Sequence, residues 1–84
     1  MNTNTFYTSW TDKSSFFIAL AKALPPVFTR ETASQSMGGI FSAKTLSNLD
    51  ANNAGPRIKI KIGKKVAYEK NDFIMWLRNK LSSD

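Results

Sequence analysis

The amino-acid sequence predicts a small, mainly α-helical domain that carries one antiparallel β-hairpin. Residues 57 to 62 alternate basic side chains with isoleucines, which is the period of a β-strand, and two more lysines follow at 64 and 65. Two segments between residues 29 and 53 each begin with a hydroxyl residue of the kind that caps a helix. Apolar residues recur at helical spacing from 73 to 81. With 84 residues the chain supports one domain, residues 1–84.

The composition argues against catalysis and metal binding. The chain contains no cysteine and no histidine, which excludes disulfides, thiolate chemistry, cysteine–histidine zinc sites and histidine-based triads. Its acidic residues show no spacing typical of paired acid–base work. We therefore expect no enzyme activity, no cofactor and no metal. Twelve Lys and Arg residues against six Asp and Glu give a formal charge of +6, which favours a polyanionic partner.

The beginning of the chain is polar. No apolar stretch approaches the roughly 20 residues that cross a bilayer, and Met1–Thr5 lacks the basic residues of a signal peptide. We therefore expect a cytoplasmic protein without a membrane partner. Residues 1–11 form a tail whose aromatic residues are costly to expose, so we expect the tail to dock partly on the domain. These residues are Phe6, Tyr7 and Trp10.

The first predicted helix runs from Ser14 to Leu24 and ends before two prolines. Its apolar residues recur at helical spacing and predict the side that faces the core. They are Phe16, Leu20, Ala23 and Leu24. Ile18 lies off that stripe, beside Phe17, and isolated exposed apolar residues are ordinary.

Thr29 predicts the N-cap of a second helix, from about Arg30 to Met37, with Phe28 packing on Ala33. The glycine pair 38–39 then ends this helix, because glycine adopts the left-handed conformation without steric cost. Together with the next segment, this helix forms a candidate helix-turn-helix over residues 29–53.

Ser42 predicts the N-cap of the third helix, from Ala43 to about Asn53, with Phe41 packing against Leu46. Three of its residues are expected to turn inward: Ala43, Leu46 and Leu49. Thr45 lies at the border. The residues expected to point outward are Lys44, Ser47, Asn48, Ala51 and Asn52.

Gly55 and Pro56 end the third helix and lead into the hairpin, residues 57–69. Its tip is predicted at residues 63–65. We expect the isoleucines at 58, 60 and 62 to face the core and the basic residues to face solvent. Lysine on the solvent-exposed face also keeps an edge strand soluble. This is the alternative explanation for the positive charge of the hairpin.

The last predicted helix covers residues 71–81, with Asn71 or Asp72 as its N-cap. An apolar stripe along it predicts core packing. The stripe consists of Phe73, Trp76, Leu77 and Leu81.

Caps, turn residues and core aromatics follow one another in a fixed order over residues 28–81. They are Thr29, Glu31 and Ala33, then Ser42, Thr45, Leu46 and Asn48, then Gly55 and Pro56, then Ile62 to Val66 with Tyr68, and finally Asp72, Trp76 and Leu77. In this order the chain resembles the excisionase-like branch of the MerR-like winged helix-turn-helix proteins. The resemblance implies a winged helix-turn-helix in which helix 14–24 is an addition to the family's minimal unit.

The resemblance also implies sequence-specific binding of double-stranded DNA. The third helix would enter the major groove, and the hairpin would lie along the neighbouring minor groove or backbone. The helix start at Ser42 suits a phosphate. The candidates for base contacts are Lys44, Thr45, Asn48 and Asn52. The candidates for phosphate contacts are Arg30, Arg57, Lys59, Lys61, Lys64 and Lys65.

Such a protein would be a nucleoid-associated transcriptional regulator or an excisionase of a phage or mobile element. Expected partners are duplex DNA, a second copy in a dimer or cooperative array, and a recombinase or other regulatory protein. The first alternative is a protein-interaction module whose basic hairpin serves solubility. The others are single-stranded nucleic acid or RNA binding, for which the hairpin offers one aromatic residue, Tyr68, and membrane-surface attachment.

Overall fold

A computed structural model describes residues 13–82 of the chain. This part contains four α-helices and a three-stranded antiparallel sheet. In chain order the elements are α1 Lys13–Ala23, β1 Val27–Thr29, α2 Arg30–Ser36, α3 Ala43–Ala51, β2 Lys59–Ile62, β3 Lys65–Glu69 and α4 Lys70–Ser82. The expected docking of the tail, residues 1–11, lies outside the described residues. No helix between residues 13 and 82 has both the length and the apolar character needed to span a bilayer.

The helix starts at Thr29 and Ser42 agree with the predictions. Thr29 Oγ1 accepts a hydrogen bond from the Thr32 amide at 3.3 Å, and Ser42 Oγ accepts one from the Thr45 amide at 3.0 Å. After α2 the chain passes through Gly38 with φ at +65°, a conformation that costs glycine little. Both helices end slightly earlier than predicted, at Ser36 and Ala51.

The start of α4 differs from the prediction. The helix begins at Lys70, directly after β3, and its cap is Glu69 rather than Asn71 or Asp72. The Glu69 carboxylate accepts hydrogen bonds from the Asn71 amide at 3.0 Å and from the Asp72 amide at 2.8 Å. Because the strand leads straight into the helix, the last strand residue is the one placed to cap it.

The sheet has one strand more than the predicted hairpin. The strand order is β1-β3-β2, so β3 is central and β2 is an edge. The additional strand β1 has three residues, Val27–Thr29, too few for an alternating pattern to be visible in the sequence. It pairs Phe28 with Tyr68, the residue that β2 pairs with Lys59.

The core lies on one face of this sheet, which we call the inner face. The buried cluster consists of Phe17, Leu20, Leu24, Phe28, Ala33, Met37, Leu46, Tyr68, Phe73 and Leu77, with Trp76 and Leu81 packed against it. The predicted stripe of α4 therefore does face the core. In α3, Leu46 is fully buried, and Ala43 and Leu49 are half-buried.

The apolar stripe predicted for the first helix is rotated by one position. Phe17, Leu20 and Leu24 are buried, whereas Phe16 is 41% exposed and Ala23 is exposed. The two stripes have nearly the same spacing, so the sequence does not discriminate between them. The guanidinium of Arg78 on α4 lies 5.1 Å from the centre of the Phe17 ring, a cation–π contact that covers it.

The expectation that the hairpin isoleucines face the core is wrong. Ile58, Ile60 and Ile62 are 52%, 61% and 68% exposed. Directly paired residues of an antiparallel sheet lie on the same face. Since Lys59 pairs with the buried Tyr68, the lysines of β2 are on the inner face and the isoleucines are on the opposite, outer face.

Candidate nucleic-acid interface

Asp50, near the end of α3, joins several elements through its carboxylate. Its Oδ2 accepts hydrogen bonds from Arg30 Nη2 at 2.7 Å and from the Tyr68 hydroxyl at 2.6 Å. Arg30 Nε also donates to the Tyr68 oxygen at 3.1 Å. The Asp50 side chain is 6% exposed, and a carboxylate so deeply buried requires partners of this kind. The cluster holds α3 against α2 and β3.

The second carboxylate oxygen of Asp50 faces the connection to the hairpin. Lys59 Nζ lies 3.9 Å from Oδ1 and donates to the Pro56 carbonyl at 3.3 Å. Oδ1 is buried and has no hydrogen-bond partner among the described residues. A Cβ at position 55 would overlap this oxygen, so glycine is required there by close approach.

The environment of this cluster fixes the charge states of its members. Burial, together with the hydrogen bond to Asp50, raises the pKa of Tyr68 to about 12, so its hydroxyl remains a donor. Burial lowers the pKa of the Arg30 guanidinium, but the hydrogen bonds to Asp50 and Tyr68 outweigh it and leave that pKa above its ordinary value. Arg30 therefore stays charged and bound to Asp50.

Arg30, a predicted phosphate contact, has a different environment from the other predicted phosphate contacts. Two of its nitrogen atoms donate inside the protein, and its side chain is 20% exposed. This geometry makes Arg30 a residue that positions α3. It is not part of the exposed cationic surface.

The outward residues of α3 lie along its whole length. Lys44, Thr45 and Asn48 are all exposed. The Ser42 hydroxyl donates to Thr45 Oγ1 at 3.0 Å in addition to capping the helix, so both hydroxyls are already engaged in the first turn. Asn52 is exposed at the other end of α3, where its backbone amide closes the last turn. The side chains of Lys44 and Asn48, one helical turn apart, form no hydrogen bond within residues 13–82 and lie on one surface of α3.

The hairpin, residues 57–69, carries the other candidates, and we call it the wing. Four of its cations are exposed and make no side-chain hydrogen bond or ion pair with any described residue: Arg57, Lys61, Lys64 and Lys65. Lys65 does act at a distance. The Glu31 side chain accepts a hydrogen bond from the Glu31 backbone. This bond, with a smaller contribution from the charge of Lys65, holds the pKa of Glu31 below its ordinary value. Within residues 13–82, Lys59 is the only wing candidate whose side chain has a hydrogen bond or an ion pair.

The pairing register decides the side of the sheet to which the wing lysines belong. Lys59 pairs with Tyr68 and Lys61 pairs with Val66, so both lysines are on the inner face. Tyr68 is also the residue that bonds Asp50 of α3. The structure therefore brings Lys59 and Lys61 to the side of the sheet on which α3 packs, and the isoleucines of the strand lie on the other side.

The base of the wing is anchored by two contacts with α4. The Asp72 carboxylate accepts a hydrogen bond from the Ile58 amide at 2.9 Å. The indole of Trp76 donates to the Ala54 carbonyl at 2.9 Å, just after α3 ends. These contacts restrain the segment between α3 and β2, so the position of the wing relative to α3 does not depend on the strand pairing alone.

Other cations of the chain have structural roles outside this surface. Lys70 Nζ donates to the carbonyls of Ala21 and Leu24 at 3.0 and 3.1 Å, where it satisfies the end of α1. Arg78 covers the ring of Phe17. The formal charge of +6 therefore overstates the number of cations available to a ligand.

Sequence reasoning missed the residues that position this surface, namely Asp50, Tyr68 as its hydrogen-bond partner, and Asp72 as the anchor of the wing. One signal was present in the sequence. Asp50 is the only acidic residue between Glu31 and Glu69, in a segment rich in cations. A lone acid among cations is a candidate for an ion pair within the protein, although the sequence does not reveal its partner.

Comparisons of the chain with protein-family models, with curated proteins and with solved structures each gave no match. The resemblance described above therefore stays a prediction.

Proposed function

We propose that this protein binds double-stranded DNA in a sequence-specific manner, as a winged helix-turn-helix domain with α1 as an extra N-terminal helix. In this proposal α2 and α3 form the helix-turn-helix, α3 enters the major groove, and the wing follows the adjoining minor groove or backbone. One observation carries the proposal. Lys59 and Lys61 lie on the same side of the sheet as α3, so a duplex approaching that side would meet both elements.

Five exposed cations would provide the electrostatic attraction. They are Lys44, Arg57, Lys61, Lys64 and Lys65. Since none of them has a side-chain hydrogen bond or ion pair with a described residue, each can meet a phosphate without breaking such a bond. If all five neutralise phosphates, a logarithmic plot of affinity against salt has a slope of about −4 to −5.

Base readout would depend on the exposed residues of α3. Asn48 can pair bidentately with adenine, and Lys44 can donate to guanine or to a phosphate. The first turn of α3, capped by Ser42, directs amide groups at a neighbouring phosphate. Thr45 and Asn52 would contribute less, because the Thr45 hydroxyl already binds Ser42 and Asn52 lies at the far end of the helix.

A protein with this activity would act as a transcriptional regulator or as an excisionase of a phage or mobile element, in the nucleoid. The choice between these roles depends on where its sites lie and whether a recombinase binds beside it. Selection of bound fragments from a random DNA pool supplies the site and the spacing of any repeats. Positions of such repeats beside recombination sites would favour the excisionase role.

The wing is tested by removing one of its charges. We expect Lys61→Ala to weaken binding to specific and scrambled duplexes alike and to reduce the magnitude of the salt slope by about 1. Lys22→Ala, which removes an exposed charge near the end of α1, is the charge-matched control and should leave the slope unchanged. Fluorescence anisotropy over a series of salt concentrations measures both. Equal effects of the two substitutions would contradict the proposed interface.

Base readout is tested on the selected site. We expect Asn48→Ala to lose about 1 to 3 kcal/mol of discrimination at one base pair while binding to scrambled DNA hardly changes. Asn79→Ala, which alters an exposed asparagine of α4, is the matched control. If Asn48→Ala discriminated as well as the parent protein, α3 would not be the reading helix.

A protein-interaction module is the second candidate, favoured by the exposed Phe16 and Ile18 on α1, which are 41% and 57% exposed. Retention on heparin and on duplex DNA at moderate salt separates the two functions. If the protein is retained neither on heparin nor on duplex DNA, this result would support a function as a protein-interaction module.

A further inference from the structure

The outer face of the sheet is apolar, and no residue between 13 and 82 covers it. Ile60 and Ile62 of β2 lie on it by register, Ile58 continues the same alternation, and Val27 lies on it from β1. These four side chains are 52% to 68% exposed. The solvated face of an antiparallel sheet is ordinarily polar. Here the lysines of β2 are on the inner side instead. A requirement for solubility therefore does not explain why isoleucines occupy the exposed outer face.

The exposed apolar surface is large for so small a domain. The four side chains present an area on the order of 400 Å², the size at which an apolar patch on a monomer commonly marks an interaction site. With the half-buried Thr29 of β1 and Ala67 of β3, two such faces in full contact would bury roughly 900 Å² in total. That is the size of a weak, reversible interface.

We propose that two copies of this protein form a two-fold dimer by packing the outer faces of their sheets against each other. Antiparallel sheets pack in this way at a distance of about 10 Å, with β-branched side chains interdigitating. A two-fold interface must be complementary to itself, and a row of isoleucine and valine side chains satisfies that condition.

The charges favour a second copy as the occupant of this face. By register Lys65 lies at one end of the outer face and Glu69 at the other, and Glu31 is close enough to Lys65 for their charges to interact. The rim is therefore mixed, and a second copy meets no block of like charge. Lys59 and Lys61 project from the opposite side and stay clear of the interface.

Pairing of two β2 edges is the competing way to join two copies, and the charges oppose it. An antiparallel two-fold pair of β2 strands centred on Ile60 would set Lys59 of each copy directly against Lys61 of the other. Like charges in that position destabilise a sheet. Packing through the outer face avoids this repulsion. The dimer goes beyond DNA binding and does not require it, since the side that carries α3, Lys59 and Lys61 remains exposed in both copies.

Sedimentation equilibrium of the full chain without DNA tests the proposal. The monomer mass is 9.4 kDa. We expect a dissociation constant of about 1 to 100 µM, so a species of twice that mass should predominate at protein concentrations above this value. Ile60→Thr, which keeps a β-branched side chain at the centre of the face, should raise the dissociation constant at least about tenfold. Ile40→Thr changes an isoleucine that is 65% exposed in the α2–α3 connection and is the matched control, expected to dimerise like the parent.

Several results would overturn the proposal. These are a strict monomer at all concentrations, a dimer that Ile60→Thr leaves intact, and equal weakening by the two substitutions. Circular dichroism of each variant establishes that it is folded. A monomer that binds vesicles of anionic lipid through Ile60 would also overturn it, in favour of a membrane surface. Because no DNA is present, failure here leaves the tests of DNA binding unaffected.

Discussion

The two faces of the sheet are made by the same three strands, yet they have opposite environments. On the inner face Phe28 and Tyr68 are 4% and 1% exposed, and on the outer face Ile60 and Ile62 are more than half exposed. Apolar side chains alone therefore do not determine which face a sheet buries. The neighbours of a strand in the sheet therefore decide which of its faces is buried.

The aromatic residues explain why the inner face is the buried one. The ring of Phe28 lies 5.1 Å from that of Phe73 in an edge-on arrangement, and the ring of Tyr68 lies 5.4 Å from Phe73. Aromatic rings bury more apolar area than isoleucine, and ring pairs add about 0.5 to 1.5 kcal/mol each. Asp50 satisfies the hydroxyl of Tyr68, so this face buries its polar atom at little cost.

Truncating one residue on each face is the strongest test of this comparison. We expect Phe28→Ala to lower the free energy of unfolding by about 3 to 5 kcal/mol, because it leaves a cavity in the core. Ile60→Thr should change it by less than about 0.5 kcal/mol in dilute solution, where association does not contribute. Urea denaturation followed by circular dichroism measures both. Similar losses for the two variants would contradict the assignment of the faces.

Asp50→Asn tests the polar cluster beneath the inner face. We expect it to lower the free energy of unfolding by about 2 to 3 kcal/mol, less than for a fully buried ion pair, because Arg30 retains contact with water. It should also lower the pKa of Tyr68, since the hydrogen bond to Asp50 contributes to raising that pKa to about 12.

The pH dependence of Tyr68 follows from the same cluster. Its pKa is higher in the folded protein than the ordinary value of 10, so its contribution to stability is present below pH 10 and is lost as the pH rises toward about 12. Ultraviolet titration of the phenolate checks the pKa, with Tyr68→Phe to identify the signal. Ionisation of Tyr68 near pH 10 in the native protein would show that the hydroxyl is not buried as described.

The smallest effect is expected at the rim of the outer face. Hydrogen bonds from the backbone amides of Asn71 and Asp72 hold the pKa of Glu69 below its ordinary value of 4.5. Its contribution to stability is therefore present above pH 4.5 and is lost as the pH falls through the lower pKa of the folded state. Glu69→Gln should lower the melting temperature at neutral pH, and the difference from the parent should shrink in acid. A difference independent of pH would mean that the charge of Glu69 has no part in the cap.

Much of the local structure could be predicted from the sequence. Thr29 and Ser42 cap their helices as expected, and the stripe of α4 packs in the core, because caps and helical periodicity depend on nearby residues. The candidate site was predicted in part. Lys44 and Asn48 were expected to point outward and are exposed, whereas Arg30 is bound to Asp50, twenty positions along the chain. No local sequence pattern predicts an ion pair between residues so far apart in the chain.

The sequence by itself determined the caps, the turns, the alternation of the wing strand and the excess of positive charge, since each depends on residue type and short spacing. Only the tertiary structure decided which side of the alternating strand is covered. It did so by adding β1 to the sheet and by setting Lys59 opposite Tyr68. The physical reason is that period-two alternation defines two faces of a strand without specifying which one is buried. Contacts with residues distant in the chain decide which face is covered.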